Sequence, residues 1–81
     1  MKLPRDTSGD ELAKRLGRLG YTVTRQTGSH LRLTRDSAEG EHHITIPRHD
    51  SLRVGTLSSV VKDVAEHFRT SKEELIQQLG E

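Results

Sequence analysis

The sequence contains no cysteine and no tryptophan, and its only tyrosine and phenylalanine are Tyr21 and Phe68. Without cysteine no disulfide can form, so the 81 residues must be held together by a core of aliphatic side chains. Two aromatic side chains are also too few for a surface on which successive bases of single-stranded RNA could stack. If this chain binds RNA, it must use charge, shape and contacts to the sugar–phosphate backbone.

Long apolar segments are missing as well. No stretch approaches the ~20 apolar residues that a membrane-spanning helix needs, and the opening MKLPRDTSGDEL is charged, unlike a signal peptide. The length fits one domain over residues 1–81. The lack of cysteine is compatible with a reducing compartment, so we expect a cytoplasmic protein that makes no membrane contact.

The net charge of +1 is unevenly distributed along the chain. Residues 1–35 contain eight Lys and Arg against three Asp and Glu, a net charge of +5, whereas residues 36–81 contain five against nine, a net charge of −4. The basic first half favours a polyanionic partner such as RNA, although ordinary solvated helix and strand faces would give the same charges. The basic residues that we expect to contact RNA from the first helix are Lys14, Arg15 and Arg18.

Hydrophobic periodicity predicts a helix near the start of the chain. Ser8 and Glu11 fit a capping box at the beginning of a helix over residues 9–19, with Gly20 as its terminator. The apolar stripe of this helix consists of Leu12, Leu16 and Leu19.

The helical period returns in the second half. A second amphipathic helix is predicted over residues 56–69, with Gly55 or Thr56 as its cap. Its apolar positions are Leu57, Val60, Val61, Val64 and Phe68. A short third helix follows in TSKEELIQQL, with Thr70 or Ser71 as its cap.

Between the helices the hydrophobic period changes to two, which is typical of strands. A first strand begins at Tyr21, with Tyr21 and Val23 towards the core, and two more run over residues 29–35 and 42–47. Because the connections QTGS and DSAEGE are short, the strands should form an antiparallel sheet. The predicted fold is α+β, with the order α-β-β-β-α(-α) and the helices on one face of the sheet. The residues predicted on the open face are Thr22, Thr24, His30, Arg32, Thr34, His43 and Thr45.

His30 and Arg32 share this open face at the start of the second strand. A neutral imidazole can take the proton of a ribose 2′-hydroxyl, and an arginine can bind a phosphate with two parallel hydrogen bonds. Backbone N–H groups near Gly28 can also approach a phosphate, since glycine has no Cβ. This set suits metal-independent RNA cleavage, but an exposed strand histidine without a special role is the more common case. The parity of the first strand places Arg25 on the core side.

The other histidines argue against a metal site. His42 and His43 are adjacent in a strand, so they point to opposite faces, and the chain has no cysteine to complete a zinc site. A pair of His30 and His43 across the strands stays open as an alternative. His43 or His49 is better suited to be a second acid or base, and we expect no metal and no cofactor. Phosphate-binding loops and nucleophile motifs are also absent from the sequence.

Three short motifs occur in order along the chain: Gly28-Ser29-His30, Pro47-Arg48-His49 and Gly55-Thr56-Leu57. Together with the flanking KLPRDTSGDELAKRLGRLGYTVTRQTGSHLRLT and SKEELIQQL, they resemble the HicA family of toxins from prokaryotic toxin–antitoxin operons. The resemblance covers nearly the whole chain.

This resemblance implies a small endoribonuclease toxin that cleaves messenger RNA and has a fold similar to a double-stranded-RNA-binding domain. It implies that His30 is the catalytic histidine and that a HicB antitoxin covers the surface around it. His49 matches a recurrent histidine of the family. The residues expected to contact RNA around His30 are Gly28, Ser29 and Arg32.

Two other functions fit the same residues. The chain could be a non-catalytic RNA-binding module, in which His30 is a contact and not a catalyst. It could also be a domain that binds its antitoxin and has no activity. Cleavage of RNA by the isolated protein, or its absence, separates both from an enzyme.

Overall fold

The computed structural model of the protein describes residues 6–80. Its elements follow one another along the chain as α1 (Gly9–Gly17), β1 (Thr22–Thr27), β2 (His30–Ser37), β3 (Gly40–Pro47), α2 (Val54–Phe68) and α3 (Lys72–Leu79). The strands form one antiparallel sheet in the order β1–β2–β3. The α+β class, the element order and the antiparallel pairing are therefore as the sequence predicts.

The helices cover one face of the sheet. Leu16 of α1 and Val64 of α2 are fully buried in the same core as Leu33 of β2 and Ile46 of β3. Leu75 of α3 completes that core. Each fully buried aliphatic side chain stabilises the fold by about 1.5–3 kcal/mol, so this core replaces the missing disulfides.

Two of the predicted helix caps are confirmed. The Ser8 hydroxyl accepts a hydrogen bond from the Glu11 N–H at 3.0 Å, and the Ser71 hydroxyl accepts one from the Glu74 N–H at 3.1 Å. The first helix ends at Gly17, two residues before the predicted end, and a tight turn leads to Gly20 with φ +99°.

The predicted start of α2 is wrong. This helix begins at Val54, and its N-cap is Arg53, which makes no capping hydrogen bond with its side chain. The reason is tertiary: Leu52 is buried, and its N–H donates to the Thr7 carbonyl at 2.9 Å. This anchor fixes the chain just before Arg53, so the helix begins there and not at Gly55 or Thr56.

Strand β1 differs most from the prediction. It is exposed along its whole length, because the helices pack over β2 and β3 and leave this edge strand uncovered. Tyr21, just before it, is buried as predicted, but Val23 is 44% exposed and not a core residue. Alternation in the sequence cannot show that a strand extends beyond the helices that would cover it.

A β-bulge in β1 overturns the placement of Arg25. Val23 pairs with Leu33 of β2, and Arg25 pairs with Arg32, so Thr24 is an extra residue between two regular pairs. Cross-strand partners point to the same side of a sheet. The bulge therefore reverses the parity of β1 and places Arg25 beside Arg32, away from the core.

The beginning of α1 lies against the chain that leaves β3. The Gly9 N–H donates to the His49 carbonyl at 2.9 Å, and a Cβ on Gly9 would overlap the Pro47 carbonyl oxygen. Arg48 ties the same segment down, since its N–H donates to the Ser29 carbonyl at 2.6 Å. Glycine at position 9 thus allows α1, the Ser29 turn and the loop after β3 to meet.

We expect Gly9→Ala to lower the free energy of unfolding by about 1–3 kcal/mol, because the new methyl group must push the Pro47 backbone away. Gly17→Ala is the matched control. A Cβ on Gly17 has no neighbour within 4 Å, so alanine should stabilise α1 by up to about 1 kcal/mol. Urea unfolding of both variants measures the difference, and equal stabilities would contradict the close contact.

Candidate active site and nucleic-acid interface

The turn that presents His30 is a two-residue hairpin loop. Thr27 and His30 are paired at the ends of β1 and β2, and only Gly28 and Ser29 lie between them. Gly28 has φ +50°, whereas Ser29 is not among the residues with positive φ. Positive φ at the first loop position alone is the pattern of a type II′ turn, which favours glycine there. The Gly28-Ser29 step therefore fixes where the next side chain, His30, projects.

His30 lines a groove whose walls are residues of β2 and β3 on one side and the first turns of α2 on the other. The groove has a volume of about 640 Å³, within the range of ligand sites in proteins. From here on it is called the His30 groove, and its lining residues are His30, Thr45, Pro47, Arg53, Gly55, Thr56, Ser59 and Val60. His30 itself is exposed, and its Nδ1 lies 3.4 Å from the Ser29 hydroxyl. Among the described residues nothing is bonded to its Nε2.

The other wall of the groove is the N-terminus of α2. The N–H groups of the first turn of a helix have no partners within the helix, and they carry a partial positive charge. Among the described residues no side chain caps this 15-residue helix, and Gly55 and Thr56 of its first turn line the groove. Such an end attracts phosphate groups, and Arg53 beside it adds a full positive charge.

Arg32 follows His30 by two residues and is exposed on the same face. Its partner on β3 is Thr45, which lines the His30 groove. Gly28, Ser29 and Arg32 therefore lie next to His30, and their contact with RNA stays a prediction.

His43 lies on the same face, two residues before Thr45 on β3. Both of its ring nitrogens have polar partners. Its Nδ1 is 2.9 Å from the Thr34 hydroxyl and its Nε2 is 3.3 Å from Glu41 Oε1. The Thr34 hydroxyl also contacts the hydroxyl of Thr24 on β1, at 2.9 Å. His43 is not among the residues that line the His30 groove.

His49 lies in the loop after β3, two residues beyond Pro47, the cross-strand partner of His30. Its carbonyl accepts the Gly9 N–H. Its side chain is exposed, and within residues 6–80 that side chain makes no hydrogen bond or ion pair. His49 does not line the groove either.

The three basic residues of α1 do not line the His30 groove. Arg15 is half-buried, and its Nη1 donates a hydrogen bond to the Leu79 carbonyl at 2.7 Å. Its Nε forms an ion pair with Glu11 at 3.3 Å, without the geometry of a hydrogen bond. Lys14 and Arg18 are exposed, and their side chains make no such bonds to any other residue between positions 6 and 80. RNA contacts from these residues stay a prediction.

A second group of titratable side chains lies at the far end of α2. The Tyr21 hydroxyl is 2.6 Å from His42 Nδ1, and burial raises the pKa of Tyr21 to about 12, so this hydroxyl stays protonated and donates. The opposite nitrogen, His42 Nε2, then carries hydrogen and donates to Asp63 at 3.1 Å. The His42 ring stacks on the His67 ring with the two centroids 4.2 Å apart. Arg35 Nη1 donates a hydrogen bond to His67 Nε2 at 3.2 Å.

These bonds engage both ring nitrogens of His42 and the Nε2 of His67. Within residues 6–80 no group of three His, Cys, Asp or Glu is arranged to hold a metal ion. In the same part of the chain no helix has the length and apolar character that crossing a membrane requires.

The α2 side of the groove was missed by the sequence analysis, which predicted that this helix begins only at residue 56. The sequence motif Gly55-Thr56-Leu57 was the available signal, but its meaning depends on how close α2 lies to β3. Arg53 was missed because it belongs to no motif.

The architecture and the site define a class of protein. A helix, three antiparallel strands and two further helices, with the helices on one face, are consistent with a fold like that of double-stranded-RNA-binding domains. Residues 9–65 match the family model described as the HicA toxin of bacterial toxin–antitoxin systems. The chain therefore belongs to the HicA toxin family. Among curated proteins and among solved structures, no significant match was found.

The His42–His67 stack predicts a loss of stability in acid. Burial lowers the pKa of His67 below its usual 6.5, and the nearby His42 and Arg35 lower it further. Below pH 6.5 the unfolded chain then binds a proton that the folded chain does not, so stability should fall as the pH drops from 6.5 towards the lowered pKa.

Thermal unfolding at pH values from neutral to mildly acidic measures this effect. His67→Gln is the control, because glutamine can accept the Arg35 hydrogen bond but does not titrate. The fall in Tm with acidification should be smaller in this variant than in the wild type. Identical pH profiles would show that His67 does not contribute.

Proposed function

We propose that this toxin is a metal-independent endoribonuclease that cleaves messenger RNA in the His30 groove. The observation that carries this proposal is the position of His30, which faces a groove lined by a free helix N-terminus and by Arg53. The groove thus combines a side chain that can transfer a proton near neutral pH with two features that attract phosphate. Membership of the HicA family supports the same activity.

In the proposed reaction His30 is the general base. Its free Nε2 takes the proton of a ribose 2′-hydroxyl, and the 2′-oxygen attacks the adjacent phosphorus. The bond from phosphorus to the 5′-oxygen breaks, which leaves a 2′,3′-cyclic phosphate and a chain with a 5′-hydroxyl. The α2 N-terminus and Arg53 stabilise the charge that develops on the phosphate oxygens.

The leaving 5′-oxygen needs a proton, and we assign this role to His49. The ring nitrogens of His43 are both engaged, by Thr34 and Glu41. The side chain of His49 is free of such bonds within the described chain, and it follows Pro47, which lies directly across from His30. A shift of the exposed His49 side chain towards the groove costs no hydrogen bond.

The proposed inhibitor is a HicB-like antitoxin. Toxins of this family are paired with antitoxins, and a protein that covers the His30 groove would block access of RNA. An acidic surface on the antitoxin would complement Arg32 and Arg53, which have no carboxylate partner among the described residues.

We expect His30→Ala to lower RNA cleavage by at least 10²–10⁴-fold, the usual contribution of a general base, without a change in Tm. Cleavage is measured on a gel in the presence of EDTA. Gln26→Ala in the same hairpin, which pairs with the core residue Leu31, is the control and should retain activity. The proposal fails if His30→Ala cleaves RNA as fast as the wild type. Binding of RNA without cleavage by the wild type would point to a non-catalytic RNA-binding module.

A substrate with a leaving group that needs no proton tests the role of His49. Uridine 3′-(4-nitrophenyl phosphate) is such a substrate, since nitrophenolate leaves as an anion. We expect His49→Ala to be impaired on RNA but nearly normal on this ester, whereas His30→Ala is inactive on both. Equal impairment of His49→Ala on both substrates would exclude it as the general acid, and normal activity of that variant on RNA would do the same.

A further inference from the structure

We propose that Arg25 and Arg32 together bind a single phosphate of the RNA backbone next to the one that is cleaved at His30. This inference rests on the proposed function, because it assigns a second substrate contact to the same site. It adds Arg25, a residue that the regular alternation of β1 would place on the core side.

The bulge at Thr24 is what brings the two arginines together. Arg25 and Arg32 are direct cross-strand partners, so their Cβ atoms lie about 4.5–5.5 Å apart and their side chains leave the same face. Both residues are exposed. Two guanidinium groups at this spacing can reach the oxygens of one phosphate, each with parallel hydrogen bonds.

The two arginines differ from most others in the described chain, because neither side chain has a hydrogen-bonding or ion-pair partner. Four arginines are engaged elsewhere: Arg15 with Glu11 and the Leu79 carbonyl, Arg35 with His67 and the Leu19 carbonyl, Arg48 with Asp10, and Arg69 with Glu39. Within residues 6–80 no hydrogen bond or ion pair involves the side chain of Arg25 or of Arg32. Like charges that face each other across two strands destabilise a sheet, and such costs are typical of functional sites.

The position of the pair relative to His30 favours RNA as the ligand. Thr27 and His30 form the next pair but one along the hairpin, and two residues of a strand span about 7 Å. This distance is similar to the separation of consecutive phosphates in an extended single strand. A strand whose reacting phosphate lies at His30 can therefore place its neighbouring phosphate between Arg25 and Arg32.

An acidic protein segment is the other possible ligand of two arginines. RNA is favoured because the α2 N-terminus and Arg53 line the same groove as His30, so several groups that attract phosphate lie around the candidate catalytic residue. A nucleic-acid strand carries a phosphate at every nucleotide and can contact more than one of these groups.

The test measures binding of a short fluorescent single-stranded RNA to proteins that carry His30→Ala, so that no cleavage interferes. Arg25→Gln and Arg32→Gln are compared singly and together. Arg69→Gln is the matched control, because it removes one positive charge beyond the opposite end of the 15-residue helix α2, about 20 Å from the groove.

We expect each single variant to bind roughly tenfold more weakly. Since both arginines share one phosphate, the slope of log affinity against log salt should fall by about 0.7 in total when both are replaced, and not by about 0.7 for each arginine. Arg69→Gln should bind like its parent. The Tm of Arg25→Gln should be equal to or above that of the parent, because a like-charge pair is relieved.

Several outcomes would overturn the assignment. Unchanged affinity in both single variants, or a loss equal to that of Arg69→Gln, would show that the pair makes no specific contact. A slope that falls twice as far in the double variant would mean two separate phosphates. A lower Tm in step with the affinity would indicate a structural role, and a larger loss of binding to polyglutamate than to RNA would indicate a carboxylate ligand.

The proposed nuclease activity is judged separately, by cleavage of RNA by the wild type. If the wild type does not cleave RNA, that function fails while the binding data still decide the role of the arginine pair. If cleavage depends on His30 but not on Arg25 or Arg32, the nuclease stands and the phosphate contact fails.

Discussion

The rest of the structure depends on β2, the central strand, which is paired on both edges and has one face in the core and the other at the candidate site. It is hydrogen-bonded to β1 on one side and to β3 on the other. Leu31 and Leu33 point into the core and are almost fully buried, whereas His30 and Arg32 are exposed on the other face. A shift of the pairing by one residue would exchange these two sets. Burial of the leucines therefore fixes the register and, with it, the side on which the histidine lies.

The surroundings of His30 are assembled from segments far apart in the chain. The Gly28-Ser29 turn precedes it directly, the backbone after β3 is bonded to that turn through Arg48, and α2 supplies the opposite wall of the groove. Gly9 allows α1 to approach the same backbone. The packing that stabilises the small core thus also positions the site, so changes in the core near Gly9 or Leu52 should affect it.

The arginines of this protein differ in whether their side chains already have bonding partners, and this difference matters more than the net charge. The net charge of the whole chain is only +1. The arginines that support the fold bind carboxylates, carbonyls or rings, whereas the side chains of those around His30 have no such partner in the described part of the chain. A phosphate ligand therefore meets arginines that need not first break other bonds. The exposed edge strand β1, with its bulge, extends this basic surface away from the groove.

The sequence by itself determined the features that depend on neighbours along the chain. The Ser8 cap, a second cap at Thr70 or Ser71, the alternation of β2 and β3, the glycine turn and the face on which His30 lies all follow from local geometry, and all were predicted. Only the tertiary structure decided the start of α2, the exposure of Val23, the reversal of Arg25 and the engagement of His43 and Arg15. Each of these depends on a partner far away in sequence: a buried anchor, an uncovered edge, an unequal strand pairing or a distant hydrogen-bonding group. A local pattern contains no information about such partners until the chain is packed.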